Sequence, residues 1–200
     1  MIHPIETESY RILETRVDLS HLAPGPRAVV ERVIHASADP EYATSMVVDE
    51  SAVDAGVRAL RAGAPVLCDV EMVRSGIRGV ATECFLAHAP ATEQRSETRA
   101  ALGMRAAAAA HPTGAVVAVG CAPTALDEVL ALAARRVFAP ALVIGMPVGF
   151  VGAAESKARL RASGLPAISN VGEKGGSAVA AAAVNALVRL AAPSSEGNAS

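Results

Sequence analysis

The sequence predicts a single α/β domain in which a parallel sheet is covered by helices on both faces. Three observations carry that prediction. Short aliphatic runs recur along the chain, among them PVLCDV, AVVAV and ALVIG, and continuous apolar runs of this length suit strands buried on both sides. They alternate with Ala-rich stretches of good helix formers, the βαβα order that folds into a parallel sheet with right-handed crossovers. Hydrophobic residues make up 52% of 200, enough for one sizeable core and too many for a disordered chain.

The elements are expected in the following order. A short charged arm, MIHPIETESYRILETRVD, comes first and lacks the apolar segment of a signal peptide. Helices follow at residues 28–37 and 51–62. The first strand, 65–70, is introduced by Gly63-Ala-Pro65, and the second spans 82–87. A helix at 92–110 leads through Pro112-Thr-Gly114 to a strand at 115–119. The pattern then repeats: helix 124–136, strand 141–145, helix 153–162, strand 166–170, helix 177–190. No internal repeat or linker divides the chain, so residues 1–190 form the domain. The closing AAPSSEGNAS, small and polar, is read as a flexible tail over 191–200.

Composition excludes several functions. Net charge is −2, from 18 basic and 20 acidic residues, and aromatic residues are 2%. That argues against nucleic acid, which needs a basic surface or stacking platforms, and against an anionic membrane surface. No apolar run is long enough to span a bilayer. Cys68, Cys84 and Cys121 form no CxxC pair and are odd in number, so they read as reduced thiols of a cytoplasmic protein. His3, His21, His88 and His111 lack HExxH spacing and carboxylate neighbours, so no metal site is expected. GxGxxG, GxxxxGK[ST] and GxSxG are all absent.

The candidate chemistry lies elsewhere. In PRAVVERVIHAS, helical spacing gathers Val29, Val30, Val33 and Ile34 on one stripe and puts Arg32 and His35, spaced i,i+3, on the other side. Either this is a solvated face, or it sets a cation and a proton donor toward a ligand or a second subunit. Ligands of a parallel sheet bind beyond the carboxyl ends of its strands. There the chain carries Asp69-Val-Glu71, Gly120-Cys-Ala-Pro-Thr124, Gly145-Met-Pro-Val-Gly149 and Gly172-Glu-Lys-Gly-Gly-Ser177. Pro123 near a helix start, flexible Gly175-Gly176 and Ser177 as N-cap would offer free N–H groups to an anion. Each is equally an ordinary turn or cap.

Taken in order, ESYRILETRVDL (8–19), RVIHAS (32–37), GAPVLCDVEMV (63–73), GCAPTAL (120–126), GMPVGFVGAAESK (145–157) and KGGSAVAAAAVNAL (174–187) resemble the precorrin-8X methylmutase family. The resemblance runs to about residue 190. It implies a three-layer α/β/α flavodoxin-like fold with a five-stranded parallel sheet, and a homodimer binding a tetrapyrrole near the subunit interface. It implies an isomerase of cobalamin biosynthesis that needs no cofactor. The reaction is a 1,5-sigmatropic methyl shift from C-11 to C-12, turning precorrin-8X into hydrogenobyrinate, or cobalt-precorrin-8 into cobyrinate. By motif the family's catalytic histidine falls on His35, its substrate-contacting arginine on Arg32, and its N-terminal serine on Ser9 beside Tyr10. Arg99, Gly120, Thr124, Gly175, Gly176 and Ser177 are the remaining candidate binding positions, with Lys174 a further cation. The chain departs from the family where Cys121 replaces a frequent Asn and where Thr98-Arg99-Ala100 replaces Thr-Arg-Ser. A non-catalytic corrinoid carrier using the same pocket is the alternative.

Overall fold

The computed structural model describes residues 3–88 and 97–193. The chain forms α1 (Pro4–Arg16), α2 (Pro24–Ser37), α3 (Tyr42–Ser45), β1 (Met46–Val48), α4 (Glu50–Arg61), β2 (Val66–Cys68), α5 (Glu71–Gly76) and β3 (Thr82–Cys84). It continues through α6 (Arg99–Ala110), β4 (Val116–Val119), α7 (Pro123–Ala134), β5 (Leu142–Gly145), α8 (Ala153–Ala162), β6 (Ala167–Asn170) and α9 (Ser177–Ala191). All five expected strands are present, and they run parallel in the order β3-β2-β4-β5-β6. Counted among themselves that is 2-1-3-4-5, one of the two common doubly wound orders.

The expectation of a five-stranded parallel sheet needs correcting. A sixth strand, β1, pairs antiparallel with β6 through Met46↔Asn170 and Val48↔Ile168. It escapes a sequence reading because it has three residues and none is fully buried, so it lacks the long aliphatic signature of the inner strands.

Successive strand residues serve opposite layers, as the pleat requires. Val66, Cys68, Val116, Ala118, Leu142, Ile144 and Ile168 pack with α2, α4, α5 and α9. Leu67, Val117, Val119 and Val143 pack with α6, α7 and α8 on the other face. Each fully buried Val, Leu or Ile contributes about 1.5–3 kcal/mol, so these two clusters hold the three layers together.

The N-terminal arm is a helix. Pro4 opens α1, Glu6 lies in its first turn and Arg16 in its last, each where the helix dipole favours it. Only Leu13 is buried, so the apolar periodicity is faint. Helix α2 starts four residues earlier than expected. Pro24 and Pro26 fit its first turn, where no N–H acceptor exists to be lost. The apolar stripe Val29, Val30, Val33 and Ile34 is buried as expected. The helix ends at Ala38, in the left-handed region at φ 53°, with its N–H donating to Ile34 at 2.7 Å. The expected helix at 92–110 begins in residues outside the described ones. Within them α6 starts at Arg99, capped by the Thr98 hydroxyl accepting from the Ala101 N–H. Of the expected tail, Ala191 closes α9 and residues 194–200 lie outside the described ones. No helix among the described residues is long and apolar enough to cross a membrane.

Candidate functional site

The structure gathers the candidate residues into two groups. The first lies between α1 and α2. His35 lies in the last turn of α2, on the side away from the core stripe. Its Nδ1 is 2.7 Å from the Ser9 hydroxyl of α1, and its ring stacks on Tyr10 with centroids 4.9 Å apart and planes 9° from parallel. The i,i+1 pair Ser9-Tyr10 thus fixes the imidazole both in its plane and across its face. Among the described residues Nε2 makes no hydrogen bond. The pKa of His35 lies below the ordinary imidazole value: partial burial disfavours the cation, neighbouring Arg32 repels it, Glu6 opposes both, and Arg189 adds a weaker push downward.

His35 borders a cavity of about 550 Å³ whose other walls include Ile5, Ser9 and Ile12 of α1 and Ile34 and Ala38 at the end of α2. It is mostly apolar with a few polar groups, the usual make-up of a small-molecule pocket. Arg32, one turn back, donates from Nη1 to Glu6 Oε1 at 3.1 Å. Its Nε is buried and has no partner among the described residues. Glu6 Oε1 also accepts from Arg189 Nη1 of α9 at 3.0 Å.

The second group lies along the carboxyl edge of the sheet. For the N–H groups of Gly120, Cys121 and Ala122, leading into α7, the sequence leaves open an anion site or an ordinary turn. They donate to the side chain of Asp69, at 3.0, 2.8 and 2.9 Å. The anion in this cradle is the chain's own. Asp69 follows β2 and is 2% exposed. Burial pushes its pKa up against the pull of the backbone donors. This is the point where strand order reverses between β2 and β4. Gly120 is required by crowding, because a Cβ there would lie 2.7 Å from Val73 Cγ2 and 2.9 Å from Ser177 Cα.

The Gly175-Gly176 stretch is also held more tightly than a flexible approach. A side chain on Gly175 would collide with the carbonyl oxygens of Met146 and Pro147, and Gly176 N–H donates to Met146 at 2.9 Å. Gly176 adopts φ 127° and is itself the N-cap of α9. Ser177, expected as that cap, is the first helical residue, and no side chain caps this end. Thr124 Oγ1 meets Thr98 Oγ1 at 2.6 Å, and Arg99 donates to the Leu86 carbonyl at 3.2 Å. Lys174 ties this edge to the first group: its ammonium lies 2.6 Å from Asp39 and 2.7 Å from Glu41, just beyond α2.

Several residues that shape these groups carry weak sequence signals. Lys157 of α8 is fully buried and donates to Asn170 Oδ1 at 3.2 Å and to the Lys174 carbonyl at 2.5 Å. Burial, with Arg161 nearby, lowers its pKa to about 8. Arg189 is the one charged residue of α9, and a lone cation in an apolar helix is the signal that could have found it. Nothing in the pattern marks Glu6 apart from other carboxylates, and Asp69 stands out only by lying in one of the strand-end loops. Cys68 and Cys84 are buried and Cys121 is exposed, all as free thiols. Among the described residues no cluster of three or more His, Cys, Asp or Glu could hold a metal ion.

Comparison with known proteins matches this geometry to one family. Residues 4–190 match the model of the precorrin-8X methylmutase family. The chain is 45% identical over 177 residues to a cobalt-precorrin-8 methylmutase of Methanothermobacter thermautotrophicus, covering 86% of this chain and 84% of that protein. It is 37% identical over 196 residues to a precorrin-8X methylmutase of Sinorhizobium sp, covering 92% and 93%. A crystal structure of a precorrin-8X methylmutase from Thermus thermophilus superposes with a TM-score of 0.84 at 39% identity, covering 94% of this chain and 95% of that one. On this agreement of sequence and fold, the chain belongs to the precorrin-8X methylmutase family.

Proposed function

We propose that the chain moves a methyl group from C-11 to C-12 of precorrin-8X, giving hydrogenobyrinate, or of cobalt-precorrin-8, giving cobyrinate, with His35 as the general acid. As a member of its family it is an isomerase of cobalamin biosynthesis, against the alternative of a non-catalytic carrier. The observation that carries the role of His35 is its setting: an imidazole oriented by Ser9 and Tyr10, bordering an apolar cavity, with Nε2 unengaged.

A sigmatropic shift needs no nucleophile. It needs one substrate conformation and a polarised π-system. With Nδ1–H donating to Ser9, a protonated His35 has Nε2–H left to donate to a nitrogen of the macrocycle, drawing electron density through the conjugated system. General-acid assistance of this kind is worth about 10²–10⁴-fold, and positioning with preorganised dipoles supplies the rest. In the free protein burial and Arg32 hold His35 toward the neutral form. A substrate rimmed with carboxylates offsets Arg32 and restores the proton where it is used.

Arg32 and Arg99 are assigned to substrate carboxylates. Gly120, Thr124, Gly175, Gly176 and Ser177 shape the carboxyl edge against which the macrocycle lies. The parallel order 2-1-3-4-5 supports a flavodoxin-like reading with an added antiparallel edge strand. A homodimer with the site near its interface is supported by Phe150 and Val151, 91% and 88% exposed at that same edge. Three free thiols support a cytoplasmic location.

The test mixes His35→Ala protein with precorrin-8X and follows the visible spectrum. Turnover should fall about 10²–10⁴-fold while hydrogenobyrinate still binds. Near-normal turnover with ligand bound would overturn the assignment. Presenting metal-free and cobalt-bearing substrates side by side decides which is natural.

A further inference from the structure

A single oxygen of Glu6 accepts from two arginines brought from different helices, Arg32 of α2 and Arg189 of α9. Beside them, between α1, α2 and α9, is a cavity of about 350 Å³ bordered by Tyr10, Ala28, Glu31, Arg32, Ala186, Arg189 and Leu190, with the Glu31 carboxylate already held by Arg27 at 2.6 Å. Arg32 reaches Glu6 through Nη1 alone, and its Nε is buried with no partner among the described residues. Glu6 itself retains 27% of its side-chain exposure and Arg189 51%. It sits in the first turn of α1, a helix anchored in the core by one buried residue. Two guanidiniums converging on one carboxylate oxygen form a site suited to a carboxylate from outside.

We propose that Arg32 and Arg189 form a two-pronged clamp for one rim carboxylate of the substrate, and that Glu6 holds the clamp until the substrate displaces it. This rests on the corrin substrate read above. The exchange conserves charge: one carboxylate leaves the arginines as another arrives, so neither cation is left unpaired at any stage. Glu6 swings to solvent beside the exposed Ile5. Arg189 becomes a specificity-determining residue of the reaction, acting through binding and not through the reacting atoms.

Wild type, Arg189→Ala, Arg189→Lys and Glu6→Gln are titrated with two probes, hydrogenobyrinate and benzenehexacarboxylate. Binding is read from the His35 ring resonances and, for the corrinoid, its absorbance. Arg189→Ala should weaken both probes about tenfold, the scale of one lost charge-assisted contact. Arg189→Lys should recover part of the loss, and Glu6→Gln should tighten both by about threefold because no internal carboxylate competes. In turnover the Arg189→Ala loss should fall on KM more than on kcat. If hydrogenobyrinate binds wild type and Arg189→Ala equally, or Glu6→Gln weakens it, the clamp is wrong and the corrin reading stands. If only benzenehexacarboxylate ranks the variants as expected and wild type ignores hydrogenobyrinate, the clamp stands and the corrin reading falls. Binding of neither probe to wild type overturns both.

Discussion

Two carboxylates of this chain sit in places built for an anion, and their surroundings differ. Asp69, at the reversal of strand order, is 2% exposed and accepts from three consecutive backbone N–H groups. Glu6, between α1 and the arginines of α2 and α9, keeps about a quarter of its side chain in solvent and accepts from two flexible guanidiniums. Backbone donors cannot turn away when a carboxylate departs, so Asp69 is a permanent part of the fold. Arginine side chains can trade one carboxylate for another. Doubly wound sheets commonly bind ligands at the switch point. Here the backbone donors of that crevice are taken by Asp69, and the proposed acid, His35, stands on α2.

The largest expected effect tests whether the seal is structural. Asp69→Ala leaves three backbone donors without a partner, at least one of them fully buried, and should destabilise the protein by about 2–4 kcal/mol. Urea unfolding measures this. A variant as stable as wild type that also binds anions at the start of α7 would make Asp69 as exchangeable as Glu6 and dissolve the distinction.

A smaller effect concerns Lys157, which holds the loop after β6 from below. Lys157→Met removes the donor to Asn170 and to the Lys174 carbonyl, while relieving the cost of a buried cation. The net loss should be about 1–2 kcal/mol, with faster amide exchange over residues 171–176 as the local signature. Unchanged exchange there would leave the second group without its support. The neutral form of Lys157 is favoured in the fold, so its contribution to stability should grow as pH rises from about 8 toward the unfolded lysine value of about 10.4.

The smallest effect sharpens the other side. His35 titrates below the ordinary imidazole value in the free protein. Below about pH 6.5 the unfolded chain therefore binds the proton more readily than the folded one. Stability should fall as pH drops through that window, and His35→Gln should remove this part of the dependence. An NMR titration giving His35 a raised value in the free protein would contradict the balance of burial and Arg32 over Glu6.

The parts of the molecule visible in the sequence are those whose signal is local. PVLCDV, AVVAV and ALVIG announce inner strands because both of their faces are buried. The stripe of α2 announces its buried side, and so its other side, because helical spacing alone separates them. The missed parts depend on contacts distant in the chain. Helix α1 has one buried residue and gains its place by docking Ser9 and Tyr10 on His35, 26 positions from Ser9. Strand β1 exists because β6, more than 100 residues later, offers it an edge. Asp69 lies 51 to 53 residues from its donors, and no spacing rule reaches that far. The N–H groups of Gly120, Cys121 and Ala122 were legible as an anion cradle. Their occupant was not, because it comes from another strand.

The sheet is bounded by β1 on one side and β3 on the other, each of three residues. On the β3 side Glu83 faces His111 at 3.0 Å, a polar rim in place of an apolar one. Borders this brief offer few unpaired backbone groups to a neighbouring strand. Among the described residues, edges this short favour contact between copies through helices and loops over the addition of strand upon strand.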